Sequence, residues 1–364
     1  MNLQEYYKYG YYSFGNRTTR SKLEALEWSQ VHQGWPTFHF HDDAFSSYDW
    51  KQEPVESIET LYQTRAKELR EKYDYLIVMY SGGVDSHNML MSFLSQGIMP
   101  DEIAYFYHSH SNDDNVMNVE WDVQTLPRLN KILEKWPGIK LRRIDMTDML
   151  IDYMNKFIDD IPYLSTNMAA NHPMRSLFNM SVKEWADLKI QGKSLRILYG
   201  VDKPRLRFDG TSYIFNFYDN SRNGASDRAE LDDQEWFYWT PEAPKISIKQ
   251  SHIVRRFWQH HKDRWSKMNC TYNQNLGWLF DRENPEAIRL VYPYCTDEVF
   301  LTWRPKNDYY GNRDSEVILA NTDISQKYVD MCESVHKRLD SMYFNQGHVK
   351  NGYVGSVSKN YYID

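Results

Sequence analysis

Residues 73–94 read YDYLIVMYSGGVDSHNMLMSFL, and this stretch decides the fold. It opens with the apolar run YLIVM, whose nearly continuous hydrophobic character is typical of a strand buried on both faces of a parallel sheet. Two adjacent glycines then interrupt the run. The apolar residues that follow have the spacing of one helix face: Met89, Leu90, Phe93 and Leu94. The stretch therefore predicts a buried strand, a glycine loop and an amphipathic helix.

The same alternation continues on both sides of this stretch. PVESIETLYQTRAKELREKY, which begins at Pro54, predicts a helix that leads into YLIVM. EIAYFYHSH and KLRRIDMTD predict a second and a third strand, with a helix between them, and SLRILYG predicts a fourth strand that ends at Gly200. Helices also dominate the region from about 146 to 191. Strands that alternate with helices predict an α/β fold, a parallel twisted sheet with helices on both faces.

The two ends of the chain differ from this central part. Residues 1–55 are aromatic and punctuated by Gly and Pro, which predicts irregular structure with one short strand at TFHFHDD. Beyond about residue 211 the sequence is rich in Trp and Tyr, and its periodicity predicts an aromatic, mostly helical C-terminal region. We therefore divide the chain into an N-terminal extension (1–55), a central domain (56–210) and a C-terminal region (211–364) that binds a substrate or a partner.

Composition excludes several classes of protein. The net charge of −7 over 364 residues argues against nucleic acid as the main partner. Cys270, Cys295 and Cys332 are far apart, so neither a disulfide framework nor a CxxC pair is visible, which favours a reducing compartment. No apolar run approaches the roughly 20 residues of a membrane span, and no signal-peptide pattern opens the chain. These features predict a cytoplasmic protein without a membrane partner.

The glycine loop is the strongest functional signal. Open parallel sheets bind ligands at the carboxyl ends of their strands, where this loop lies. Glycines can take positive φ and let the backbone approach a phosphate, and amides entering a helix form an anion cradle. The predicted phosphate-binding residues are Ser81, Gly82, Gly83, Val84, Asp85 and Ser86. A carboxylate beside phosphates needs a cation between them, so Asp85 implies Mg²⁺. The structural alternative is a tight turn.

A second candidate element is YGVDKPR, which follows the fourth strand. If that strand lies beside the first, the charged residues emerge over the same cleft as the glycine loop. Lys203 would neutralise a phosphate, and Arg205 could bind one bidentately. Asp202 could hold Mg²⁺ or orient Lys203. The alternative is an ordinary surface turn, since Asp-Lys-Pro is common turn chemistry.

The hexapeptide SGGVDS resembles the PP-loop of the N-type ATP pyrophosphatases, the adenine nucleotide alpha hydrolase-like superfamily. The resemblance is specific over 81–86, extends as a fold over about 56–208, and is absent from the last third of the chain. It implies a HUP-like fold with ATP and Mg²⁺ as cofactors. It also implies that the loop grips the β- and γ-phosphates, with Asp85 near the metal, while the α-phosphorus is attacked and pyrophosphate leaves.

The resemblance also assigns roles outside the loop. The family often places a glycine and then charged residues after its fourth strand, which makes Gly200 and the residues after it part of the ATP site. It brings adenosine to the end of the second strand, which here is YHSHSNDDN, so Tyr107 and His108 become predicted adenosine contacts. The alternatives for that segment are an ordinary polar loop and a transition-metal site.

Departures from the family narrow the reaction. The sulfur-transfer, reductase and deazaguanine branches need cysteine motifs that this sequence lacks, and no N-terminal nucleophilic Cys marks a glutaminase module. What remains is ATP-dependent adenylation of an unknown acceptor oxygen, followed by attack of ammonia or an amine. The alternatives are hydrolysis of ATP to AMP, a phosphoadenylylsulfate reductase-like protein without its catalytic Cys, and a nucleotide-binding assembly protein without turnover. In that last case aromatic-rich flanks would form a homo-oligomer or a larger assembly.

Overall fold

A small antiparallel sheet occupies the N-terminal part of the chain. The computed structural model describes residues 9–109, 120–164, 182–204, 206–219, 233–261, 285–296, 322–344 and 353–364. Its first elements are β1 (Tyr11–Phe14), β2 (Arg17–Thr19), α1 (Lys22–Val31), β3 (Thr37–His39) and α2 (Asp42–Ser46). The three strands pair in the order β2–β1–β3. The strand predicted at TFHFHDD is confirmed as β3, whereas β1 and β2 replace the irregular structure that we expected.

Strands and helices alternate through the middle of the chain, as predicted. The elements are α3 (Ile58–Lys72), β4 (Tyr75–Met79), α4 (Val84–Leu94), β5 (Glu102–Tyr107), a π-helix (Glu120–Thr125), α5 (Leu126–Lys135), β6 (Lys140–Asp145), α6 (Thr147–Phe157), α7 (Ile161–Leu164), α8 (Lys183–Ile190) and β7 (Leu195–Tyr199). Ser57 caps α3 by accepting a hydrogen bond from the Thr60 amide at 3.0 Å. The helix thus begins at Ile58, four residues after the proline at which we expected it to open.

The central sheet has five parallel strands in the order β10–β7–β4–β5–β6, where β10 is Gln234–Trp236. Its middle strand is buried from Leu76 to Met79, and Val78 of β4 is opposite Ile103 on one side and Leu198 on the other. Helices flank the sheet, so the predicted α/β class is confirmed. From β4 the chain adds strands in one direction to β6 and in the other to β7 and β10. Such a reversal opens a crevice at the carboxyl ends of the strands.

The region beyond residue 210 contributes strands as well as helices. Its elements are β9 (Tyr213–Phe215), the sheet strand β10, α9 (Pro244–His260), α10 (Pro285–Val291), α11 (Thr322–Arg338), a 3₁₀ turn (Ser341–Tyr343) and β11 (Tyr361–Tyr362). Together with β8 (Leu206–Phe208), two of these strands form an antiparallel sheet in the order β11–β9–β8. The described helices agree with the helical periodicity expected beyond residue 211, whereas the strands were not predicted. The three-part division of the chain stays a prediction.

Aromatic side chains join the two ends of the chain. Trp50 stacks on Tyr361 at 4.5 Å between ring centroids and on Phe215 at 5.0 Å. Phe217 lies edge-on to Trp239 at 5.3 Å. These five rings are buried, so much of the aromatic content of the flanks forms an internal core. None of the described helices has both the length and the apolar character needed to cross a bilayer.

Candidate functional site

The glycine loop leaves β4 at the crevice where the strand order reverses. Gly82 has a left-handed φ of +71°, and a Cβ there would lie 2.9 Å from Thr125 Oγ1 and 3.0 Å from Thr125 Cα. Glycine is therefore required at this position. Gly83 differs from our expectation: its φ is −75°, and an added Cβ would meet only Ser81 Oγ, at 3.3 Å. Gly83 is the N-cap of α4 and leaves open space in front of the helix.

The loop amides are mostly available to a ligand. The Ser81 amide donates to Ser86 Oγ at 3.2 Å, and the Gly83 amide makes a long 3.4 Å contact with Ser81 Oγ. Within the described part of the chain no acceptor receives the other four, which are the amides of Gly82, Val84, Asp85 and Ser86. Three of these open α4, where the helix macrodipole adds partial positive charge. The start of α4 can therefore bind an anion.

Carbonyl groups of the same loop are held by residues that the sequence did not indicate. The Ser81 carbonyl accepts hydrogen bonds from Thr125 Oγ1 at 2.8 Å and Gln124 Nε2 at 3.4 Å. The Gly82 carbonyl accepts one from the buried guanidinium of Arg128. These bonds fix the loop backbone and place a cation beside it. Thr125 is the last residue of the π-helix before α5. No motif or spacing in the sequence indicates that Gln124, Thr125 or Arg128 contacts the loop.

The segment after β7 lies directly against the loop. A Cβ on Gly200 would be 3.0 Å from the Asp85 carbonyl carbon and 3.1 Å from the Ser86 nitrogen, so a side chain there would displace the first turn of α4. This close approach brings Lys203 Nζ to 2.8 Å from Asp85 Oδ2, with the two side chains 17% and 18% exposed. Asp202 Oδ1 accepts a hydrogen bond from the Lys203 amide at 2.6 Å. Arg205 lies outside the described residues.

Asp85 is also surrounded by tyrosines from beyond residue 210. Its carbonyl accepts a 2.8 Å hydrogen bond from the Tyr238 hydroxyl. Its Oδ1 is buried and accepts no hydrogen bond of good geometry from the described residues. The Tyr292 hydroxyl faces the carboxylate, and burial together with the negative charge of Asp85 raises the pKa of Tyr292 well above its ordinary value. Both tyrosines therefore stay neutral at physiological pH.

Further contacts attach α4 to the C-terminal region. The buried thiol of Cys295 contacts the Val84 carbonyl at 3.4 Å, and Asn88 Nδ2 donates to the Tyr238 hydroxyl at 3.1 Å. The Tyr62 hydroxyl of α3 donates to the Val291 carbonyl at 2.8 Å. The first turn of α4 therefore rests on Tyr238 and Cys295, and Tyr62 holds the segment that leads to Cys295.

The predicted adenosine contacts lie at the same edge of the sheet, at the end of β5. Tyr107 is half-buried beneath the Arg143 guanidinium, which lies 4.1 Å from its ring centroid, and His108 is buried. The next residue, Ser109, is fixed by its amide, which donates to Thr147 Oγ1 at 2.9 Å. The polar residues from His110 onward in this loop lie outside the described part of the chain. Adenosine contact at Tyr107 and His108 stays a prediction.

A magnesium site fits the residues at the loop. In the described ranges no group of three or more His, Cys, Asp or Glu side chains could hold a metal by itself. Mg²⁺ in nucleotide sites needs only one or two carboxylates, because phosphate and water oxygens complete its shell. Asp85 Oδ1, which is buried and accepts no hydrogen bond of good geometry from the described residues, is the oxygen that fits this requirement.

Comparison with known proteins does not assign the chain. No protein-family model matches the sequence, and no curated protein matches it. Its function is therefore argued from the geometry of the loop and its neighbours.

Proposed function

We propose that this protein binds ATP with its triphosphate over residues 81–86 and transfers the adenylyl group to an acceptor oxygen, as N-type ATP pyrophosphatases do. One observation carries the proposal. Four loop amides that have no acceptor among the described residues lie at the start of α4, at the point where the strand order of a parallel sheet reverses. The first amides of any helix lack intrahelical partners, so what favours a phosphate here is their place at the strand-order reversal, beside Lys203 and Asp85.

Two charged side chains at the loop have complementary roles in the proposed complex. Lys203 would leave Asp85 and contact a phosphate, where its ammonium stabilises charge that develops on the departing pyrophosphate. Asp85 would then hold Mg²⁺, which when bound neutralises phosphate charge and orients the triphosphate. Arg128 is buried against the loop backbone and adds a fixed positive charge behind it. Gly200 keeps the first turn of α4 free of side-chain bulk.

The proposed chemistry is an in-line displacement. The acceptor oxygen forms a bond to the α-phosphorus, and the bond from that phosphorus to the bridging oxygen breaks. Pyrophosphate leaves with the electron pair. Ammonia or an amine then attacks the adenylated centre, and AMP leaves in turn. The protein contributes mainly position and electrostatic stabilisation, which are the usual sources of rate in such transfers.

Product analysis tests the proposal directly. The protein is incubated with ATP and Mg²⁺, with and without pools of carboxylate and amide acceptors, and the products are resolved by chromatography. AMP and pyrophosphate are expected, and ADP and phosphate would contradict the proposal. ATP binding without products under every condition would favour the assembly role instead. No described contact favours that role, since many aromatic residues of the flanks are buried inside the chain.

Two substitutions separate binding from turnover. Asp85→Ala is expected to abolish turnover, because the cation loses its carboxylate. Gly83→Val is expected to abolish ATP binding, because Gly83 has an ordinary φ and valine would add bulk beside the loop amides while its Cβ meets only the Ser81 hydroxyl, at 3.3 Å. Gly138→Val, at a glycine whose nearest neighbour is the Met99 side chain, is the matched control and should bind ATP normally. Unchanged ATP affinity in Gly83→Val would count against the phosphate cradle.

A further inference from the structure

Two side chains of the N-terminal sheet and one of α2 form a hydrogen-bonded relay that the proposed ATP site does not use. Ser13 Oγ lies 2.7 Å from His39 Nε2, and His39 Nδ1 lies 2.7 Å from Asp42 Oδ2. An ionised carboxylate only accepts, so Nδ1 carries the ring proton and Nε2 is left to accept the proton of Ser13. A nucleophile, a base and an orienting acid in this order are the signature of an activated serine.

The backbone holds these groups in place from two sides. β1 and β3 pair with Ser13 opposite Thr37 and Tyr11 opposite His39, so these four residues lie on one face of the sheet. The Tyr11 ring stacks on the imidazole at 4.6 Å with an interplanar angle of 13°. Asp42 opens α2, and its other oxygen accepts from the Phe40 amide at 3.3 Å. The imidazole is therefore held by a ring on its face and by polar partners at both nitrogens.

The relay is open to solvent and lies beside a cavity. The side chains of His39 and Asp42 are each 23% exposed, and Ser13 is partly exposed. Thr37, the cross-strand neighbour of Ser13, lies in the wall of a surface cavity of about 520 Å³, together with Trp35, Pro36 and residues 354–360. A cavity of this size holds a small ligand. Its indole wall favours an apolar group, and the serines of its other wall offer polar contacts.

We propose that Ser13 is a nucleophile that hydrolyses small carboxylic esters, at a centre separate from the ATP site. Ser13 Oγ forms a bond to the acyl carbon while His39 Nε2 takes its proton, and the leaving alcohol departs with that proton. His39 then removes a proton from water, the new hydroxide attacks the acyl carbon, and the carboxylic acid leaves as Ser13 recovers its proton. General-base activation contributes about 10²- to 10⁴-fold, so we expect slow turnover.

Covalent labelling tests the proposal on the full chain. A fluorophosphonate reagent, which loses fluoride as its phosphorus bonds to a serine oxygen, should modify one residue, located at Ser13 by peptide mapping. Ser13→Ala should lose the label. His39→Gln should react about 100-fold more slowly, as expected for loss of a general base, and Asp42→Asn at least about tenfold more slowly. His261→Gln, whose ring contacts a backbone carbonyl, is the matched control and should react at the normal rate.

Ester turnover gives the second measurement. With p-nitrophenyl acetate, release of p-nitrophenol should fall in the same order across the variants, and melting temperatures show which variants remain folded. A folded wild-type protein with no label on Ser13 would overturn the proposal, as would a normal labelling rate in folded His39→Gln. Labelling of Ser13 without any ester turnover would overturn the hydrolytic step. Each of these results is independent of whether ATP is bound or consumed.

Discussion

Replacement of Lys203 by methionine should strengthen cation binding and weaken ATP binding. In the structure the Lys203 ammonium holds Asp85 Oδ2 at 2.8 Å. In the proposed complex the cation takes Asp85 and the triphosphate takes Lys203, so each ligand releases the group that the other needs. Binding of the cation therefore raises the affinity for ATP, and binding of ATP raises the affinity for the cation by the same factor. Lys203→Met removes the competitor of the cation and also the partner of the phosphate.

The size of the effect follows from the ion pair. A hydrogen bond between charged groups contributes about 1.5–3 kcal/mol. Because both side chains are less than one-fifth exposed, solvent screens the pair only in part, and we take the lower value. About 1.4 kcal/mol is a factor of ten in a binding constant. Lys203→Met should therefore bind Mn²⁺ about tenfold more tightly without nucleotide and bind ATP at least about tenfold more weakly.

Mn²⁺ is a useful probe because its free ion gives a paramagnetic resonance signal that disappears on binding. Titrations of wild type and Lys203→Met, with and without ATP, give the four affinities from which the coupling is calculated. Lys189→Met is the matched control: it removes a 2.7 Å ion pair with Asp233 away from the loop and should leave all four unchanged. The reasoning is refuted if Lys203→Met binds Mn²⁺ as the wild type does while ATP binding is also unaltered.

Three further substitutions probe the loop, its support and the pH dependence of stability. Gly82→Ala and Gly97→Ala both place alanine at a left-handed φ, at a cost of about 1–2 kcal/mol each, but only the first also meets Thr125. Calorimetry should show ATP affinity reduced at least tenfold in Gly82→Ala alone, and equal affinities would contradict this. Tyr238→Phe removes the hydrogen bond to the Asp85 carbonyl and should lower the free energy of unfolding in urea by about 1–3 kcal/mol; no change would mean that this bond does not support α4. Burial lowers the pKa of His252, so below about pH 6.5 the unfolded chain binds a proton that the folded chain does not. Urea titrations should therefore show stability falling from pH 7 to pH 5, with a smaller fall in His252→Gln; an equal fall would exclude His252 as its source.

The sequence predicted the inner strands of the central sheet because most of their residues are buried. The run YLIVM is apolar, LRILY is apolar except for Arg196, and both are bounded by turn residues, so their length and composition identify β4 and β7. The loop could also be predicted from the sequence, because a Gly-Gly pair between a buried strand and a helix allows few backbone conformations. Lys203 can reach Asp85 only if β7 lies beside β4, which was the condition stated for a shared cleft. The structure shows that β4 and β7 are neighbours and that the two side chains pair.

The fifth strand was not predicted, because two of its three residues are polar. β10 reads QEW, yet all three of its residues are buried. Glu235 is tolerated there because Arg65 of α3 pairs with it and the Tyr73 hydroxyl donates to its other oxygen at 2.6 Å. These partners lie far away in the sequence, so no local pattern reveals them. The same is true of Thr125 and Arg128 at the loop, whose contacts depend on tertiary packing.

The late arrival of β10 has a consequence for synthesis of the chain. Until residue 236 has left the ribosome, β7 is an outer strand whose unsatisfied main-chain groups can recruit a strand from another molecule. In a polypeptide that ends near residue 210, β7 would remain an unpaired edge strand. Such a polypeptide would also lack Tyr238 and Tyr292, which contact Asp85 in the first turn of α4. We expect such a fragment to aggregate, so the central part of the chain, which carries the glycine loop, is not separable by simple truncation.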